Sequence, residues 1–170
     1  MADQSALRLW IDANLEPCRR DAPSDASKAG AGVIVFDGDC TFCTHVVAYL
    51  LARLPEPIRL CSCRSTAGAA LCRALGTAPR DTFAFVEASG ARLGPGAYRA
   101  IAAHSPRLRG LALGLRLSPA WLVDRIYLWV AGHRPLMSRL LGRGKAALPE
   151  GRFVEQGRHD HAQGGGPAEG

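Results

Sequence analysis

The chain has 170 residues, 48% hydrophobic and 21% charged, with a net charge of +6. That balance excludes a disordered chain and fits one domain with a core of useful size. Aromatics make up only 6%, so Leu, Val, Ile and Ala must supply most of the core, and no apolar run approaches the roughly 18 residues of a membrane-spanning helix.

Residues 1–31 are mostly polar, with one apolar fragment, Leu7-Arg8-Leu9-Trp10-Ile11, and read as an extension or linker. The start, Met-Ala-Asp-Gln-Ser, has neither the basic residues nor the apolar block of a secretory signal, so a cytoplasmic protein is expected. In that reducing setting six cysteines point to catalysis, metal binding or burial rather than to a disulfide framework.

Val33-Ile34-Val35-Phe36 reads as a buried strand, Asp37-Gly38-Asp39 as a turn, and the apolar periodicity that follows as a helix over 43–54, stopped by Pro55. A second strand spans 58–63. Its alternation sends Ile58, Leu60 and Ser62 to one face and Arg59, Cys61 and Cys63 to the other. Ser65 and Thr66 can cap a short helix over 66–75 that Gly76 ends. A strand over 82–87, a turn at Ala88-Ser89-Gly90 and a return strand over 91–93 make a hairpin, followed by a helix over 97–103.

Beyond Ser105-Pro106 the chain is helical. An amphipathic segment carries Leu108, Leu111 and Leu115, a second helix runs from Ser118-Pro119 to about Gly132, and a short one spans 136–141. Residues 32–104 are thus expected as the core, 105–142 as a helical extension of the same domain, and 143–170 as a disordered tail. The basic excess lies in 107–145, far along the chain from Cys40 and Cys43. It reads as a solvated helix face, with weak peripheral contact to anionic lipid as the alternative. Nucleic acid is not expected, because aromatics do not interleave with the basic residues.

The core order, β-α-β-α-β-β-α, joins a parallel βαβ half to an antiparallel ββα half. The expected fold class is therefore α/β, a thioredoxin-like core with a C-terminal helical extension. Cys40-x-x-Cys43 sits where the first strand turns into its helix. Unpaired N–H groups and the helix dipole favour a thiolate there. Two intervening residues bring Cys43 within disulfide reach. Cys40 is then the attacking thiol and Cys43 the resolving one. Asp37 could accept or return the Cys43 proton. Asp39 could cap the helix, although both carboxylates oppose a thiolate.

The run Asp37-Gly38-Asp39-Cys40-Thr41-Phe42-Cys43 after an apolar strand resembles the signature of the DCC family of thiol-disulfide oxidoreductases, named for Asp-x-x-Cys-x-x-Cys. The likeness extends from about Val33 to Gly142 through the hairpin glycine Gly90, the helix start Gly96-Ala97-Tyr98, and Pro119, Tyr127 and Arg134 of the late helices. It implies a thioredoxin-like fold and a site made of Asp37, Cys40 and Cys43, with a disulfide-containing protein or small molecule as substrate and a separate electron donor. Thioredoxins proper carry a cis-proline before the third strand, where this chain has Arg80-Asp81-Thr82, and a tryptophan where it has Asp39.

Two rivals share these residues. Asp37-x-Asp39-x-Thr41 after a strand resembles the nucleophile motif of haloacid-dehalogenase phosphatases. Against that reading, the chain has only Lys28 and Lys145 to neutralise a phosphoaspartate and no later acidic pair for a metal. Cys40-x-x-Cys43 with Cys61-x-Cys63 would suit a zinc-binding or partner-binding module, but the second pair lies on a strand without the turn that zinc knuckles use. Taken separately, Cys18, Cys61, Cys63 and Cys72 read as buried or incidental, with Cys61 or Cys63 as an auxiliary thiol near the pair the alternative; His45 reads as a solvated helix residue, and His104, His133, His159 and His161 show no ligand spacing. No cofactor is expected.

Overall fold

Val33, Ile34, Val35 and Phe36 are all buried, so strand β1 (Gly32–Phe36) has protein on both faces. The computed structural model describes residues 3–15, 32–54, 58–78, 83–142 and 144–154. β1 pairs in parallel with β2 (Ile58–Ser62), with Ile34 opposite Leu60, and antiparallel with β3 (Ala84–Glu87), with Ile34 opposite Phe85. β3 turns through Ala88-Ser89 into β4 (Gly90–Leu93), which gives the sheet order β2-β1-β3-β4. This is the mixed sheet expected from the order of elements, and the chain has the α/β, thioredoxin-like architecture.

The two-residue period of the strands builds two cores. Ile34, Phe36, Ile58, Leu60 and Phe85 face one side with Val47 and Ile101. Val33, Val35, Cys61, Cys63 and Val86 face the other with Leu71 and Cys72. Helices α2 (Thr41–Leu51) and α4 (Gly94–Ala103) cover the first side. Helix α3 (Thr66–Leu75) covers the second, capped by Ser65 and ended by Gly76 at φ 67° as its sequence indicates. Gly68 of α3 meets the Ser62 carbonyl so closely that a Cβ has no room, which sets α3 tightly on the end of β2.

Several boundaries shift for local reasons. α2 stops at Leu51 rather than 54 because Arg53 and Leu54 donate to carbonyls three residues back, tightening the last turn. α4 starts at Gly94, three residues early. Gly94 takes φ 51°, and Pro95 follows in the first turn, where its missing N–H costs nothing. β3 begins at Ala84, two residues later than expected, and residues 79–82, where a thioredoxin would carry its cis-proline, lie outside the described residues.

The extension to residue 142 is helical as expected: α5 (Arg109–Leu117), α6 (Ala120–Gly132) and α7 (Arg134–Leu140), the last starting early on Pro135. Ser105, buried at the junction, donates through Oγ to the Arg53 carbonyl.

At both ends the chain is more engaged than its composition indicates. Within the stretch read as an extension, Gln4–Asn14 forms helix α1, capped by Asp3, and buries Leu7, Trp10 and Ile11 in the core shared with α3. Trp10 Nε1 donates to the Ala67 carbonyl at 2.8 Å. The expectation of disorder from 143 is corrected for residues 144–154. β2 is an edge strand, and its open side takes a parallel bridge at Phe153 and the Val154 N–H, 2.9 Å from the Leu60 carbonyl. The Phe153 ring lies 6.4 Å from that of Phe36. Residues 155–170 lie outside the described residues.

Candidate active site

β1 delivers the chain to the turn at its carboxyl end, where the Cys40 N–H donates to the Asp37 carbonyl at 3.2 Å and the Asp39 N–H to Asp37 Oδ1 at 3.1 Å. Cys40 then takes the N-cap position of α2, with an extended backbone and with Sγ accepting from the Cys43 N–H at 3.1 Å. The sulfur stands where a serine or aspartate oxygen would cap, and it takes one of the helix's open donors, the Cys43 N–H. Asp39, which could have capped the helix, does not; Cys40 does. Cys40 and Cys43 are joined as a disulfide with their Cα atoms 5.1 Å apart. Both are half-buried.

The two carboxylates beside the pair are matched by cations that the linear chain does not show near them. Arg64, just past β2, lies with Nε 3.4 Å from Asp37 Oδ1 and 3.3 Å from Asp39 Oδ2. Lys145 Nζ lies 3.3 Å from Asp39 Oδ1. The Asp39 side chain is 63% exposed, so its pairs are screened by water, whereas that of Asp37 is only 10% exposed. A reduced Cys40 thus faces helix N–H groups and cations as well as carboxylates. The lysine argument against a phosphatase also changes, because Lys145 does reach the Asp-x-Asp turn. It pairs with the second aspartate, while Arg64 lies between the two.

The C-terminal helices wall the site. Ser138 Oγ of α7 accepts the Phe42 N–H at 3.2 Å, satisfying one of the open donors of the first turn of α2. Cys40 opens on a cleft of about 320 Å³ bounded by Asp37, Asp39, Ala131, Arg134, Pro135 and Ser138. Cys43 faces a smaller and more enclosed hollow lined by aromatic rings of the core and extension. There Phe83 stacks on Tyr98 at 4.3 Å, and Tyr127 meets Tyr98 edge-on at 6.3 Å. Burial pushes the Tyr98 phenol far above its ordinary pKa, Tyr127 adds to this, and Arg134 opposes it, so Tyr98 is a neutral hydroxyl. Arg134 lies 3.5 Å from the Tyr127 hydroxyl. Gly94 is required beside these rings, since a Cβ there would meet Tyr127 at 3.2 Å in addition to its positive φ.

Of the residues the sequence singled out, Asp37, Cys40, Cys43 and Asp39 come together. Cys61, Cys63 and Cys72 do not join them: they are buried in the core under α1 and α3, while Cys43 packs against the opposite core. The four-thiolate arrangement is therefore not assembled, and among the described residues no three His, Cys, Asp or Glu side chains are grouped to hold a metal. Burial, then Cys72, Cys61 and Asp37, push the Cys63 thiol far above its ordinary value of 9.0. Cys18, His159 and His161 lie outside the described residues. His45 turns Nδ1 to the Thr41 carbonyl at 2.9 Å, inside its own helix. Arg64 and Ser138 are not singled out by the sequence, and Arg134 and Lys145, though named there, are not placed at the site by it. For Arg64 a signal existed: it follows the carboxyl end of a strand parallel to β1, and such ends gather functional groups.

The model of a protein family described as DCC1-like thiol-disulfide oxidoreductase matches residues 34–140, more than half of the chain. No curated protein and no solved structure matches it.

Proposed function

The chain belongs to the DCC1-like thiol-disulfide oxidoreductase family, and on that premise we propose that it reduces disulfides with Cys40 as the attacking thiol and Cys43 as the resolving thiol. The observation that carries this reading is the unequal placement of the two sulfurs. Cys40 caps α2 and opens on the wide cleft, while Cys43 lies against the enclosed aromatic hollow.

In the dithiol form, the Cys40 thiolate attacks one sulfur of the substrate disulfide. A Cys40–substrate disulfide forms, and the other substrate sulfur leaves as a thiolate that takes up a proton. Cys43 then loses its proton and attacks Cys40 Sγ. The substrate's second sulfur is released as a thiol, and the Cys40–Cys43 disulfide stores the oxidation. Two electrons have passed to the substrate, and a dithiol donor returns them. Asp37, buried at the end of β1 and lining both hollows, is the group proposed to take the Cys43 proton. The substrate is a disulfide-containing protein or small molecule whose reacting sulfur can enter the cleft.

Replacing each sulfur tests the assignment. Cys40→Ser should abolish reduction of a disulfide substrate such as insulin. Cys43→Ser should accumulate a mixed disulfide on Cys40 that mass spectrometry detects. Retention of full activity by both variants would overturn it.

A further inference from the structure

Helix α6 is apolar on more sides than the domain covers. Val123 is buried and Tyr127 and Val130 are half-buried, spaced so that one stripe of the helix faces the protein. Trp121 and Leu128, 67% and 68% exposed, Ile126 and Trp129 lie outside that stripe in solvent. The neighbouring helices continue the pattern. No residue of α5 is buried, Leu117 there is 74% exposed, and Leu140 of α7 is also exposed. A helix apolar around its circumference is normally buried, and an apolar expanse of this kind on a folded domain marks an interaction surface.

Charge selects the occupant. Between Ser105 and Leu141 the only acidic residue is Asp124, against six arginines. Arg134 is turned toward Tyr127 and the redox cleft, while Arg107, Arg109, Arg116, Arg125 and Arg139 are exposed. Two copies meeting through this surface would bring like charges together, which is unfavourable. Anionic headgroups beside an acyl layer match both the guanidinium groups and the apolar side chains, and tryptophan is favoured at that boundary. The longest of the three helices has 13 residues. At about 1.5 Å per residue it falls well short of the roughly 30 Å hydrocarbon layer, so such helices lie along the surface instead of crossing it.

We propose that the outer face of α5, α6 and α7 docks on an anionic phospholipid bilayer. α6 then has its inner stripe on the aromatic hollow under Cys43 and its outer stripe in lipid. The proposal does not depend on the direction of thiol exchange, or on exchange occurring at all.

Co-sedimentation of the full chain with vesicles tests it. Binding is expected to vesicles of phosphatidylcholine mixed with phosphatidylglycerol, weaker by about tenfold or more on phosphatidylcholine alone, and weakened by added salt. The tryptophan emission should shift to the blue on binding. The double substitution Trp121→Ser with Trp129→Ser removes two exposed rings, and Arg116→Glu with Arg125→Glu reverses two exposed charges. Each pair should weaken binding about tenfold or more while leaving the circular dichroism of the parent. The proposal is overturned if the parent binds neither vesicle, or if the folded variants bind as well as the parent. It is also overturned if the two vesicles bind equally, or if the parent sediments as a dimer that Trp121→Ser with Trp129→Ser dissociates. That last result would assign the face to a second copy of the chain.

Discussion

Lys145 Nζ lies 3.3 Å from Asp39 Oδ1, beside the N-cap of α2, although 106 positions separate the two residues. The contact exists because residues 144–154 run back along the site. The Ala146 N–H donates to Thr44 Oγ1 at 3.3 Å, and Phe153 bridges to Leu60 on the open edge of β2. With Arg64, Lys145 answers a problem the motif poses by itself: a cysteine proposed to act as an anion stands next to two carboxylates.

Removing these cations should therefore slow Cys40. In the reduced protein, Arg64→Gln leaves Asp37 and Asp39 less compensated, and the thiolate fraction at neutral pH falls. Alkylation of Cys40 by iodoacetamide should slow by about three- to tenfold, with its pH profile displaced upward. Lys145→Gln should have the smaller effect, because Lys145 pairs with the exposed Asp39. Added salt should shrink both differences.

Asp37→Asn should separate the two proposed steps of exchange. The amide oxygen can still accept from the Asp39 N–H, so the turn should survive, but the group can no longer take a proton. Attack by Cys40 should persist, while release of the mixed disulfide by Cys43 slows by about a hundredfold, within the usual range for loss of a general base. Rapid-quench measurement of the mixed disulfide would show it. Equal slowing of both steps would indicate that Asp37 acts on Cys40 instead.

Trp10→Ala tests whether α1 belongs to the domain. Trp10 is buried against α3 and its indole N–H is bonded to the Ala67 carbonyl. Truncation should cost about 3 kcal/mol in urea unfolding, as for other large buried aromatics. Leu9→Ala, on the exposed side of the same helix, should be near neutral.

Cys63 should make stability fall in alkali. Its folded pKa is raised above the ordinary 9.0, chiefly by burial. The folded state therefore holds the proton after the unfolded chain has lost it. The stabilisation is complete below about pH 9 and is lost above it, at roughly 1.4 kcal/mol per pH unit for this one group. Tyr98, also raised by burial, adds a similar loss above its ordinary value of 10.0. Cys63→Ala should flatten the first part of that decline in urea titrations run at successive pH values.

What the sequence determined by itself is local. The strand ending at Phe36, the turn at Gly38, the pair Cys40 and Cys43 at a helix start, and the alternation that sends Leu60 and Cys61 to opposite faces all follow from the two-residue and 3.6-residue periods and from turn chemistry. So does the order of elements, because β-α-β followed by a hairpin leaves few ways to build one sheet. The tertiary structure alone decided what surrounds the cysteine pair and its two carboxylates. Arg64 arrives because β2 lies parallel to β1, Ser138 and Arg134 because α7 packs on α2, and Lys145 because the edge of β2 draws the following chain back across the site. These are contacts between distant positions. No local pattern encodes them, since each depends on which apolar faces find one another when the core closes.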